Sequence, residues 1–278
     1  MLDCSRLTPI DINSPTFDSN AAAEAAVILW ETWRLSGRID HLPARCRPRD
    51  RAEGYAIQRE VARLSGQPVA GWKIAATSAA GQRHIGVDGP LAGRLLSGRL
   101  VAPGSTIDLT GNAMRVAEAE FAFRMATSLP KRSAAYTAVE IAAATASLHL
   151  AIELPDSRYD DFSVVGAPQL IADTACASWA AIGPAVGLDW RARDLGAYDV
   201  VAFRNGDAVG RGGGANVGGP LHALTWLANE VATHDCGLQP GDVVITGTCV
   251  PPVPVGPGDR VRMEFGDLGT IEVQFQRP

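Results

Sequence analysis

A chain of 278 residues with 46% hydrophobic and 20% charged side chains has ample apolar material for a large buried core. Its net charge of −5, with Lys and Arg scattered rather than clustered, argues against nucleic acid as a partner. The five cysteines include no Cys-x-x-Cys pair, no signal peptide opens the chain, and the apolar run at 21–30 carries Glu24 and is too short for a bilayer; together these features read as a cytoplasmic protein without a membrane partner.

Residues 1–19, rich in Ser, Asp, Pro and Asn, read as an irregular arm. Asn20 is a plausible N-cap for a helix that ends near Gly37. A second helix fits 50–66, where Tyr55, Ile57, Val61 and Leu64 recur at roughly helical spacing and Gly66 marks the stop. From Val69 onward short strand-like runs dominate, at 71–77, 98–109, 115–125, 148–154, 199–209, 241–247 and 259–275. Two helices interrupt them, near 136–147 and 220–235. Pro-Gly-Asp occurs at 240–242 and again at 257–259, each time as a turn leading into an alternating strand. Strands that do not alternate regularly with helices predict an α+β fold with a mixed, strongly bent sheet. The expected division is an N-terminal arm and helical segment over 1–68 and a sheet-based domain over 69–278.

The run RVAEAEFAFRM at 115–125 places Ala117, Ala119, Phe121, Phe123 and Met125 on one face of a strand and Glu118 and Glu120 on the other. Carboxylates at i and i+2 lie roughly 7 Å apart. Pattern alone leaves two readings, a solvated edge or a buried carboxylate pair. Val116 and Ala122 on the same face favour the buried one, and a third carboxylate, Glu153, sits among Leu148, Leu150, Ile152 and Leu154. A Glu in so apolar a strand is costly to bury without a partner. Three carboxylates converging on one spot need a cation, and an all-oxygen donor set points to Mg²⁺ or Mn²⁺ with positions left open for a substrate that chelates through two adjacent oxygens, such as a 2-oxo acid.

Other motifs carry less. The Gly-rich stretch at 210–219 lacks a Gly-Lys-Ser/Thr ending and reads as a tight bend before a helix. No Ser-His-Asp set stands out. Taken alone, Lys73 is a snorkelling lysine at a strand end and Asp88 a turn residue.

Taken in order, YAIQ (55–58), GWKIAATS (71–78), QRHIGVDGP (82–90), EAEFAF (118–123), AIELPDSRY (151–159), IADTA (171–175), GRGGGANVGGPLHALTWLA (210–228) and GDVVITG (241–247) resemble the fumarylacetoacetate hydrolase superfamily, within it the 2-keto-4-pentenoate hydratase and 4-oxalocrotonate decarboxylase branch. The resemblance is collinear over about residues 50–278. It implies a mixed β-roll flanked by helices, an N-terminal helical segment, and assembly as a homo-oligomer. It makes Glu118, Glu120 and Glu153 the ligands of Mg²⁺ or Mn²⁺, and Lys73 and Asp88 the polar, proton-handling groups of a catalytic pocket. The activity implied is addition of water to a short 2-hydroxy-2,4-dienoate in aromatic-compound breakdown. The alternatives are decarboxylation of a 2-oxo-enedioate, or a silent subunit paired with a related decarboxylase or hydratase. Ala75-Ala76 stands where hydratases commonly have Gly-Leu, and Thr174 where Asn is frequent. No His is followed by Glu three residues later, which counts against the C–C hydrolysis of the hydrolase branch.

Overall fold

The computed structural model describes residues 17–277, so most of the expected N-terminal arm lies outside the described residues. Helix α1 (Ser19–Arg34) starts one residue before Asn20, and its N-cap is Asp18, whose carboxylate accepts from the Asn20 and Ala21 amides. Asp18 has extended backbone and so aims its side chain at two otherwise orphaned amides, whereas Asn20 already lies in the first turn. Helix α2 (Arg51–Ser65) is capped by Asp50 through the Glu53 amide and stops at Gly66 in the left-handed region, φ +66°.

The remaining elements are β1 (Val69–Ala75), α3 (Ala79–His84), β2 (Leu91–Leu96), β3 (Leu100–Val101), β4 (Thr106–Ile107), β5 (Val116–Met125), α4 (Ala138–Ala144), β6 (Thr145–Leu154), α5 (Ala167–Ala172), β7 (Trp179–Ala185), β8 (Asp199–Arg204), β9 (Asp207–Gly213), α6 (Pro220–His234), β10 (Val243–Ile245), β11 (Val253–Pro254), β12 (Arg260–Glu264) and β13 (Thr270–Phe275). One sheet runs β2-β1-β10-β5-β6-β7-β3, with β11 also paired to β5; a second runs β4-β13-β12-β8-β9. Both mix parallel and antiparallel pairs, so the class is α+β as expected.

Alternation along β5 and β6 divides the larger sheet into two faces. The outer face carries Phe121, Phe123, Leu148, Leu150 and Ile152 into a core shared with α1, α2, α6 and the second sheet, where Phe121 meets Phe265 edge-on at 5.2 Å between centroids. The inner face is lined by small residues, Ala122, Ala151, Ala177 and Ala180, with Leu95, Val243 and Ile245. Small side chains suit a concave surface, and this sheet curls into a half-barrel. The curl has a direct consequence. Strands β1 and β6 are three steps apart in the sheet, about 14 Å if flat; bending brings side chains from both to one place.

Three strands are absent from the sequence reading, β2, β7 and the two-residue β11; β2 and β7 contain the local breakers Gly93 and Arg94, and Gly183 and Pro184. Arg94 is tolerated in a buried strand because it pairs with Asp235, donates to Gln58 Oε1 and stacks on Trp72. Among the described residues no helix is long and apolar enough to cross a membrane.

Candidate metal centre

Strands β5 and β6 pair antiparallel with Glu118 directly opposite Glu153 and Glu120 opposite Ala151. All three glutamates therefore point to the inner face, and Ala151 leaves room above Glu120. One carboxylate oxygen from each lies within 4.8 Å of the others. Glu120 and Glu153 are fully buried; Glu118 is half-buried.

Lys73 comes to the same place from β1. The residue is 3% exposed, and Nζ lies 3.2 Å from Glu153 Oε1, across the interior. Gly247, just past β10, donates its amide to Glu120 Oε2 at 2.7 Å. With φ +96° and Thr77 Oγ1 only 2.4 Å from where a Cβ would stand, position 247 requires glycine. The backbone thus fixes one Glu120 oxygen and leaves the other free.

Burial, then the Glu153 charge, pushes the Glu118 carboxyl up to about 7 despite Lys73. Burial and the neighbouring glutamates raise Glu120 well above the ordinary carboxylate range, and burial raises Glu153 against the pull of Lys73. Burial alone would lower the Lys73 ammonium, but Glu153, Glu118 and Glu120 outweigh it and hold it above its usual value. Fully ionised, the four groups carry two net negative charges in a largely buried place.

Glu120 Oε1 and Glu153 Oε2 are buried without a hydrogen bond, and Glu153 Oε1 has only its ion pair with Lys73. Such atoms are expensive to leave unpaired. A hard divalent cation at this point would satisfy such oxygens: donors each about 2.0–2.6 Å from one ion lie within about 5 Å of one another, as one oxygen from each of the three glutamates does. The donor set fits the ion.

Asp88 is elsewhere. It lies exposed in the bend between α3 and β2, with no hydrogen bond or ion pair among the described residues, rather than in the buried cluster. Gly247 and Thr77 were not singled out from sequence; a glycine directly after a short apolar strand was the available signal.

A mixed α+β roll with a buried, oxygen-only cation cradle on its inner face defines a class of metal-dependent enzymes. The sequence signature described as fumarylacetoacetate (FAA) hydrolase C-terminal matches residues 97–276. The 2-keto-4-pentenoate hydratase of Burkholderia vietnamiensis (strain G4 / LMG 22486) is 31% identical over 262 residues, covering 93% of this chain and 98% of that one. The 4-oxalocrotonate decarboxylase of Pseudomonas sp. (strain CF600) is 30% identical over 230 residues, covering 81% and 85%. Among solved structures, the 4-oxalocrotonate decarboxylase of Pseudomonas putida G7, complexed with magnesium and adipate, superposes with a TM-score of 0.84 at 26% identity, covering 94% of this chain and 99% of that one. The chain belongs to the fumarylacetoacetate hydrolase family.

Proposed function

We propose that this chain is a divalent-metal-dependent hydratase that adds water to a short 2-hydroxy-2,4-dienoate, giving a 4-hydroxy-2-oxo acid in the breakdown of aromatic compounds. The observation that carries the reading is the buried glutamate cluster with Lys73 against it, in a chain similar over nearly its whole length to a 2-keto-4-pentenoate hydratase.

In this reading Glu118, Glu120 and Glu153 hold the cation, Mg²⁺ or Mn²⁺ by the all-oxygen donor set; a related decarboxylase has been solved with magnesium and with calcium. When bound, the ion supplies Lewis-acid stabilisation of negative charge on the substrate's C2 oxygen. Lys73 is the pocket ammonium: it holds anionic substrate oxygens and handles the proton that leaves the 2-hydroxyl. Protonation at C5 gives the 2-oxo-3-enoate, whose C4 is electrophilic. Water adds at C4 and a proton goes to C3. By family likeness alone, Asp88, on the exposed bend after α3 and outside the cluster, is the second proton-handling group. Gly247 keeps Glu120 oriented throughout.

The second reading is decarboxylation of a 2-oxo-enedioate, favoured by the structural likeness to the Pseudomonas putida G7 enzyme. Both reactions need the same stabilised enolate, so the cluster serves either. A silent subunit is disfavoured by the intact cluster, which packing alone has no use for. The proposal includes homo-oligomeric assembly, with a related decarboxylase or hydratase as a possible complex partner. It also includes a cytoplasmic location, consistent with the free Cys46, Cys176, Cys236 and Cys249.

The test is to supply 2-hydroxypenta-2,4-dienoate and 2-oxohex-3-enedioate separately with Mg²⁺, following loss of dienol absorbance and release of CO₂. Hydration of the first without CO₂ from the second is the expected result. CO₂ release from the second with no turnover of the first would replace this reading by the decarboxylase one.

A further inference from the structure

Thr174, Ala175 and Cys176, between α5 and β7, have φ of +53°, +49° and +63°. The other four non-glycine residues with positive φ among the described residues stand singly. Three consecutive left-handed non-glycine residues are a costly arrangement, and such strain persists only where the surroundings over-determine it. All three are buried.

What over-determines it is Arg158. This guanidinium is 1% exposed. It pairs with the Asp173 carboxylate and donates to the carbonyls of Asp173 and Ala177 and to Thr174 Oγ1, so it grips the turn at both ends. Asp173 in turn accepts from Ser157 Oγ at 2.9 Å and the Arg158 amide at 3.0 Å. Trp33 covers the other side of the guanidinium, 4.3 Å from its centre. The Asp156 amide donates to Cys176 O at 2.9 Å.

The turn rests on the strand pair that carries Lys73. Gly93 of β2 is the direct cross-strand partner of Lys73. A Cβ on Gly93 would lie 1.8 Å from Thr174 O, so the turn presses on the backbone at that rung. Arg158 lies five residues after Glu153 on the same run of chain, where β6 leaves the sheet. The clamp therefore ties the exit of the Glu153 strand to the turn that packs beside Lys73, on the same face of its rung.

We propose that Arg158 and Asp173 are positioning residues that act through the left-handed turn Thr174–Cys176 to hold Lys73 against Glu153. The inference rests on the catalytic role given to Lys73 above. A buried ion pair and a strained turn are both poor stabilisers compared with apolar packing. Their use here is geometric: Lys73 and Glu153 come from strands that are not neighbours, and their separation needs a strut outside the sheet.

Ala175→Gly tests this with little risk to folding, because glycine adopts φ +49° freely and only a methyl is lost. Asp173→Asn, which keeps the acceptor but not the charge, is the second variant. The expected result for each is a fall in kcat of tenfold or more. KM and the Kd for Mg²⁺, by calorimetry, should stay within about threefold, and the thermal midpoint of Ala175→Gly within a few degrees. In a double variant with Lys73→Met, the turn substitution should slow the enzyme no further. An unchanged kcat in both turn variants, or a further loss in the double variant, overturns the inference. So does a parallel loss of metal binding and thermal midpoint in Ala175→Gly. If Lys73→Met itself keeps the parent's rate, the catalytic assignment falls and this inference with it; if only the turn variants keep it, this inference falls alone.

Discussion

Glu118 and Glu153 stand directly opposite each other across the β5–β6 ladder. Opposed residues in an antiparallel pair have Cβ atoms about 4.5–5.5 Å apart, and like charges there repel. The repulsion is therefore built into the register of two central strands, where no loop can swing to relieve it. A cation, or protonation, has to.

Glu153→Gln removes one of the charges and keeps the volume. Mg²⁺ affinity should fall at least tenfold by calorimetry while the thermal midpoint of the metal-free protein holds or rises. Excess Mg²⁺ or Mn²⁺ should restore part of the activity. Unchanged metal affinity would make Glu153 a structural residue.

The pH dependence has a definite sign. Glu118 titrates at 4.5 when free and at about 7 in the fold, so between those values the folded state binds the extra proton. Stability from this group is full below pH 4.5 and is lost as pH rises through about 7. Glu120 and Glu153 are raised as well and act in the same direction. Mg²⁺ needs the ionised carboxylates, so it should raise the thermal midpoint more at pH 7.5 than at pH 5.5. Thermal melts at both values, with Mg²⁺ and with chelator, check this; an equal shift at both values would remove the carboxylates from the binding site.

Lys73→Met keeps the stem and removes the ammonium. With saturating Mg²⁺ the protein should fold normally and bind the ion at least as tightly, because the competing positive charge has gone. kcat/KM should fall roughly a hundredfold or more, as for loss of an acid–base group. Turnover at the parent's rate would end the role given to Lys73.

Asp88 is exposed, so Asp88→Asn should leave the thermal midpoint within a degree or two, surface substitutions of this kind costing within about 0.5 kcal/mol. A proton-handling role requires kcat to fall tenfold or more in steady-state assays with metal affinity intact. Parent-like kcat would leave Asp88 a turn residue.

Ala151 faces Glu120 on the inner wall and is fully buried. Ala151→Leu adds three carbons to that wall and should cost about 1–3 kcal/mol in chemical denaturation, with weakened metal binding. A neutral result would mean the half-barrel interior has spare room beside the cluster.

The glutamates were legible because period-two alternation and apolar flanks are local properties. So were the two Pro-Gly-Asp turns, where Gly241 and Gly258 have φ of +89° and +85° and the Asp242 and Asp259 amides close the turns on Gln239 and Gly256. The class and the bent sheet followed from the ordering of strands and helices. Lys73 beside Glu153 was readable only through family resemblance, because β10 and β5 lie between their strands and nothing local encodes a meeting across a curl. Strands β2 and β7 escaped notice because Arg94 and Pro184 contradict strand propensity, and α3 and α5, at six residues each, are too short to show a period. Arg158 and Asp173 stood within the AIELPDSRY and IADTA stretches of the resemblance, but their pairing was not legible, since the two are brought together only by the fold.

Charge and aromatic ring alternate along β5: Glu118, Glu120 and Ala122 face inward, Ala119, Phe121 and Phe123 outward. A one-residue insertion or deletion between 117 and 123 would exchange the two sets, driving rings into the half-barrel and carboxylates into the oily core. The ladder irregularity on this strand falls at Arg124/Met125, just beyond that stretch. Relatives of this protein should tolerate substitutions on β5 that keep this alternation and the two glutamates, and an alignment of them across it should contain no gap.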